Sequence, residues 1–176
     1  MKKNILAIAV FAIAVLFSND LSAQKFSTLD KSPMDAASFP TDYKISDKIV
    51  KVVYSRPQLK GRALESLAPS GKVWRMGANE STEVTFYKDV TFGGKSVKAG
   101  SYTMFAIPGK SEWTIMLSKS LHTWGSGSYK DSNDVVRVTA KVSKADKVIE
   151  AFSIAYSKTG DVYFGWGNTV VTTSVK

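Results

Sequence analysis

The chain has no cysteine and a single histidine, His122, among its 176 residues. No disulfide can staple the fold, and no lipidated cysteine can tether it, so stability must come from an ordinary hydrophobic core. A zinc or haem centre, which needs clustered His, Cys or carboxylates, has almost nothing to be built from, and no cofactor is expected. Ser-His-Asp catalysis would have to run through His122, and the sequence contains no G-x-S-x-G elbow. No recognisable catalytic set is present. Arginine is scarce too, with four against twenty lysines. There is no internal repeat, and no apolar run approaches the roughly 20 residues of a spanning helix.

The longest apolar run is Ile5–Phe17, thirteen residues preceded by Lys2 and Lys3. It is followed by Ser18-Asn19-Asp20 and then Leu21-Ser22-Ala23. This order of basic, apolar and small-residue regions predicts a cleavable signal peptide over residues 1–23, although Leu21 is bulkier than the cleavage pattern prefers. The expected mature chain starts at Gln24 and works in the periplasm or as a secreted protein, with no membrane span after cleavage. The net charge is +9, but the lysines are scattered and no groove-reading motif is visible. Such a charge suits solubility and loose attraction to anionic envelope polymers, and it gives no reason to expect a nucleic-acid partner.

Residues 24–46 have weak periodicity and carry Pro33 and Pro40, which reads as an N-terminal extension. From residue 47 to 176 the β signal dominates. Ile49–Tyr54 is rich in β-branched residues. Val84 and Phe86 alternate with Thr85 and Tyr87. Val136, Val138, Ala140 and Val142 alternate with Arg137, Thr139 and Lys141, and Phe152, Ile154 and Tyr156 repeat the pattern. Turn chemistry separates these runs at Gly93-Gly94, Pro108–Ser111, Lys158–Asp161 and Gly167-Asn168. Tyr102–Ile107 is apolar on both faces and should be a central strand. The pattern predicts an all-β fold, an antiparallel β-sandwich of about eight or nine strands, with one short helix near 62–68 that ends at Pro69.

Three of the four arginines (Arg56, Arg62 and Arg75) fall within twenty residues. The guanidinium is a rigid fork of donors matched to carboxylates and phosphates, so its concentration here points either to ligand recognition or to clamped loop carbonyls. The surrounding stretches read Tyr54-Ser55-Arg56-Pro57 through Lys60-Gly61-Arg62, and Gly71-Lys72-Val73-Trp74-Arg75-Met76-Gly77-Ala78-Asn79-Glu80. They closely resemble the hallmarks of a bacterial family called domain of unknown function twenty-nine-eleven, Y-S-R-P-x-x-K-G-R and G-K-x-W-R-x-G-A-N-E. The resemblance runs on through Val90–Gly94, Ala99–Tyr102, Ile107–Gly109, Glu112–Ile115 and Trp124-Gly125. It implies an exported β-sandwich and carries no established activity.

The chemistry that remains favours binding. Arg56, Arg62 and Arg75 could donate to an anion or to hydroxyls, Asn79 and Glu80 could orient a ligand, and Trp74 and Trp124, near loop glycines, could wall a pocket. Trp113 and Trp166 lie in strand patterns and belong to the core. Asp131–Asp134 lacks the glycine and terminal glutamate of a calcium loop and reads as a polar turn. Three function classes stay open: a binding module for a small anionic or carbohydrate-like envelope ligand, a glycan hydrolase using Glu80, and a structural or protein-interaction domain whose Arg/Trp motif only locks loops.

Overall fold

The computed structural model describes residues 25–176, so the signal peptide expected over 1–23 lies outside the described residues. The fold is all-β and antiparallel. Nine strands form: β1 (Met34–Phe39), β2 (Val50–Ser55), β3 (Glu83–Phe86), β4 (Val90–Phe92), β5 (Lys95–Val97), β6 (Gly100–Ile107), β7 (Glu112–Ser118), β8 (Asp134–Tyr156) and β9 (Asp161–Ser174). Seven of them make one sheet in the order β1-β2-β3-β6-β7-β8-β9, while β4 and β5 make a separate hairpin. Among the described residues one α-helical turn forms, α1 (Leu64–Leu67); it falls inside the expected helical stretch, with Ala68 buried behind it. No helix among the described residues is long and apolar enough to cross a membrane.

The two layers of this sandwich are parts of one curled sheet. β8 is long enough to serve both. Its first half pairs with β7, from Trp113 opposite Ala140 to Leu117 opposite Val136. Its second half pairs with β9 on one side and with the segment after β2 on the other. There Gln58 bridges Ala151, Phe152 N–H donates to Pro57 O (2.9 Å), and Ile154 N–H donates to the Tyr54 hydroxyl (3.0 Å). The sequence patterns at 136–142 and 152–156 are therefore two halves of one strand, joined through register shifts around Ile149. Gly167, at φ 61°, likewise lets 162–166 and 169–174 run on as the single strand β9.

Alternation decides what each strand buries. In β8, Val136, Val138 and Ala140 face the core while Arg137, Thr139 and Lys141 face solvent. Central β6, flanked by β3 and β7, is buried on both sides from Tyr102 to Ala106. Met104 and Ala106 join the main core, whereas Phe105 is covered on the other face by the Tyr129 ring, edge-on at 5.0 Å. Residues 34–39, read from sequence as part of an extension, form edge strand β1 against β2, with Ala36 opposite Val53.

Candidate functional site

The conspicuous arginines are mostly spent inside the protein. Arg56 Nε donates to Phe152 O (3.1 Å), Nη2 to Ser153 Oγ (2.8 Å) and Nη1 to Asp35 Oδ2 (3.0 Å). One planar fork thus ties β1, the end of β2 and the second half of β8 together. Arg62 folds back on its own loop, donating to Leu59 O (2.9 Å) and Gln58 O (2.7 Å). Both were candidates for ligand donors; Arg62 clamps two loop carbonyls, because irregular backbone beside a sheet must find partners, and Arg56 clamps a carbonyl, a hydroxyl and a carboxylate.

Trp74 corrects a second expectation. Its backbone pairs with Ala106 in both directions (2.7 and 2.9 Å), so the segment behaves as a short added strand. Alternation sends Trp74 and Met76 inward, and Trp74 is 5 % exposed. It stacks on Trp166 at 5.4 Å and meets Trp113 and Phe152 edge-on. It lines neither the Trp124 concavity nor the cleft beside α1 described below. Trp113 and Trp166 are buried as expected. Between the two inward residues, Arg75 makes no ion pair and no side-chain hydrogen bond among the described residues. Its Nε is buried without a partner, and burial lowers its pKa. It lines no part of the concavity described next.

The other three candidates come together. The loop 75–82 is closed by Thr82, whose N–H donates to Arg75 O (3.1 Å) and whose hydroxyl donates to Met76 O (2.6 Å). Asn79 sits in the left-handed region at φ 60°, which turns the chain outward. A second loop, 119–130, is zipped onto it: Ser81 N–H donates to Thr123 O (2.9 Å), Gly125 N–H to Asn79 O (2.9 Å) and Ser81 Oγ to Gly125 O (2.7 Å). His122 is fixed in this zipper as well, its N–H on Glu83 Oε1 at 2.7 Å.

These bonds pin the backbone on both sides of Trp124 and leave its indole 69 % exposed. It lines a concavity of about 200 Å³ together with Asn79, Glu80, Asp30, Ser32, Met34 and Ser55. Asp30, Ser32 and Met34 were invisible as site residues in the sequence. They arrive because β1 is laid along β2, which carries the preceding segment to the rim. The lining holds two carboxylates and no cation.

A chain with the Tyr54–Arg62 and Gly71–Glu80 motifs on this curled antiparallel sheet belongs to a defined family. The model for "Protein of unknown function (DUF2911)" matches residues 32–175, nearly all of the described structure, and the chain is a member of that family. It matches no curated protein and no solved structure.

Proposed function

We propose that this protein is an exported binding module for a carbohydrate-like ligand of the bacterial envelope, held at the Trp124 concavity. The observation that carries the reading is the exposed indole of Trp124, fixed by the backbone ladder beside Asn79 and Glu80. A flat apolar face next to amide and carboxylate groups suits a sugar ring, which presents C–H bonds on one side and hydroxyls around its edge. Because the loops are already zipped together, little ordering cost falls on binding. The concavity is smaller than the roughly 300–1,000 Å³ of enclosed ligand pockets, so it suits one ring or a chain end. Asp30 and Glu80, with no cation opposite them, disfavour an anionic ligand. That narrows the choice to neutral or amino sugars.

The test is isothermal titration of the mature chain with neutral oligosaccharides and soluble peptidoglycan fragments, repeated on Trp124→Ala. Binding that Trp124→Ala removes, with melting temperature unchanged within about 1 °C, is the expected result. Normal binding by Trp124→Ala, or no binding by any glycan, overturns the proposal. The presence of Asp30 in the same concavity favours one second reading, a glycan hydrolase with Glu80 as acid/base. There, Glu80→Gln keeps ligand affinity and loses turnover; a wild-type protein that never releases reducing ends removes that reading.

A further inference from the structure

A second cleft of about 450 Å³ opens between α1, the β6–β7 turn, and strands β8 and β9, and shares no lining residue with the Trp124 concavity. We infer that it is a binding site for a small zwitterion with an apolar side chain, a free amino acid or the end of a short peptide. The volume falls within the usual range for small-molecule sites. Its apolar surface comes from Leu64, Ala68, Val142 and Trp113. Trp113 is held rigidly by its edge-on contact with Trp74 at 5.9 Å.

The polar groups are few and specific. The Trp113 indole N–H has no acceptor among the described residues. It is also not one of the buried unpartnered polar atoms, which there are Arg75 Nε and Asp134 Oδ1. The N–H therefore keeps some solvent access, and Trp113 is one of the residues lining the cleft. Glu65, on α1, accepts Ser70 N–H through Oε1 (2.8 Å), which leaves Oε2 without a donor among the described residues. Lys110, on the β6–β7 turn, has no hydrogen-bond or ion-pair partner among the described residues. Glu65 and Lys110 line one cleft, yet they form no salt bridge with each other. The cleft thus carries one exposed charge of each sign beside apolar surface, and the two do not pair with each other. A dipolar ion satisfies both: its ammonium faces Glu65, its carboxylate faces Lys110 and the Trp113 N–H, and its side chain covers Leu64 and Val142. A simple carboxylate meets Glu65 as a like charge, and a simple amine meets Lys110 the same way.

The experiment is ¹⁵N NMR titration of the mature chain with leucine, with isocaproate (the same body without the amine) and with isoamylamine (the same body without the carboxylate). Leucine is expected to shift the Trp113 indole N–H resonance, with both analogues at least tenfold weaker. Lys110→Ala, a substitution at an exposed position, should weaken leucine at least tenfold while leaving the melting temperature unchanged. Trp124→Ala should bind leucine normally, which separates this site from the glycan concavity. An absence of leucine binding, equal binding of either analogue, or an unaffected Lys110→Ala variant overturns the inference.

Discussion

Replacing Arg56 by alanine separates a clamp from a ligand contact, and the structure sets the size of the effect. The side chain makes three bonds that join β1, β2 and β8. Hydrogen bonds to a charged donor contribute about 1.5–3 kcal/mol each when shielded, whereas exposed ion pairs contribute about 0–1. Since 37 % of the side chain is exposed, the low end applies to Phe152 O and Ser153 Oγ, and little to the half-exposed Asp35. The sum is about 3 kcal/mol, or roughly 6–12 °C in melting temperature for a domain of this size. Arg56→Lys should recover only about a third of the loss, because an ammonium cannot span three acceptors in a plane. Urea and thermal unfolding of both variants, with an unchanged m-value, would check this. An Arg56→Ala protein that melts within about 1 °C of wild type would refute the clamp, and loss of ligand affinity in such a protein would return the arginine to the ligand site.

Tyr129 donates to Asp134 Oδ2 (2.6 Å) and accepts from Arg137 (2.6 Å), and desolvation, followed by the Asp134 carboxylate, raises its pKa to about 12. The unfolded phenol loses its proton near 10, so the folded state binds more protons above that pH. Stability should be intact below pH 10 and fall between about pH 10 and 12. Tyr129→Phe should flatten that limb in urea titrations, though not abolish it, because burial also raises Tyr54 and Tyr156. Gly160 has φ 89°, and a Cβ there would overlap Val175 O. Gly160→Ala should therefore cost roughly 2–4 kcal/mol by urea midpoint, against about ±0.5 for Gly127→Ala, where nothing crowds the added methyl. Finally, mass spectrometry of the protein recovered from a bacterial periplasm should find Gln24 as its first residue; retention of residues 1–23 would refute cleavage after Ala23, and absence of the protein from that fraction and from the medium would refute export.

Much of the fold was readable because period-2 alternation maps directly onto a sheet with one buried face. The Gly93-Gly94 and Pro108–Ser111 turns fall where their chemistry put them, at the β4–β5 and β6–β7 connections. Strand β1 was not readable. Met34-Asp35-Ala36-Ala37-Ser38-Phe39 has no β-branched residue and is bracketed by prolines, so its extended form comes from pairing with β2 rather than from its own preference. The continuity of β8 and β9 was hidden for a different reason: a register shift or a left-handed glycine interrupts the alternation without ending the ladder. At the site, the arginine cluster announced a need for forked donors but not the identity of the acceptors. For Arg56 two of those acceptors lie 96 and 97 residues away. Trp74 looked like a loop residue because its strand partner, Ala106, lies well beyond the neighbouring sequence pattern. Asn79, Glu80 and Trp124 were legible as candidates, but the zipper between their loops was not.

The way β8 closes the sheet also sets a timetable for folding. Tyr54 waits for Ile154, Pro57 for Phe152 and Arg56 for Ser153, each separated by close to 100 residues. A chain that emerges N-terminus first has β1, β2 and β3 in hand long before anything can cover the inner face of that end. The core there is completed only when the last hairpin arrives. Contacts this distant make folding slow relative to helical domains of equal length. They also leave an open strand edge and the Val50 and Val52 face exposed until β8 and β9 have been made. Strands β8 and β9, which carry none of the Arg/Trp motif, therefore decide whether the motif-bearing half reaches its native form.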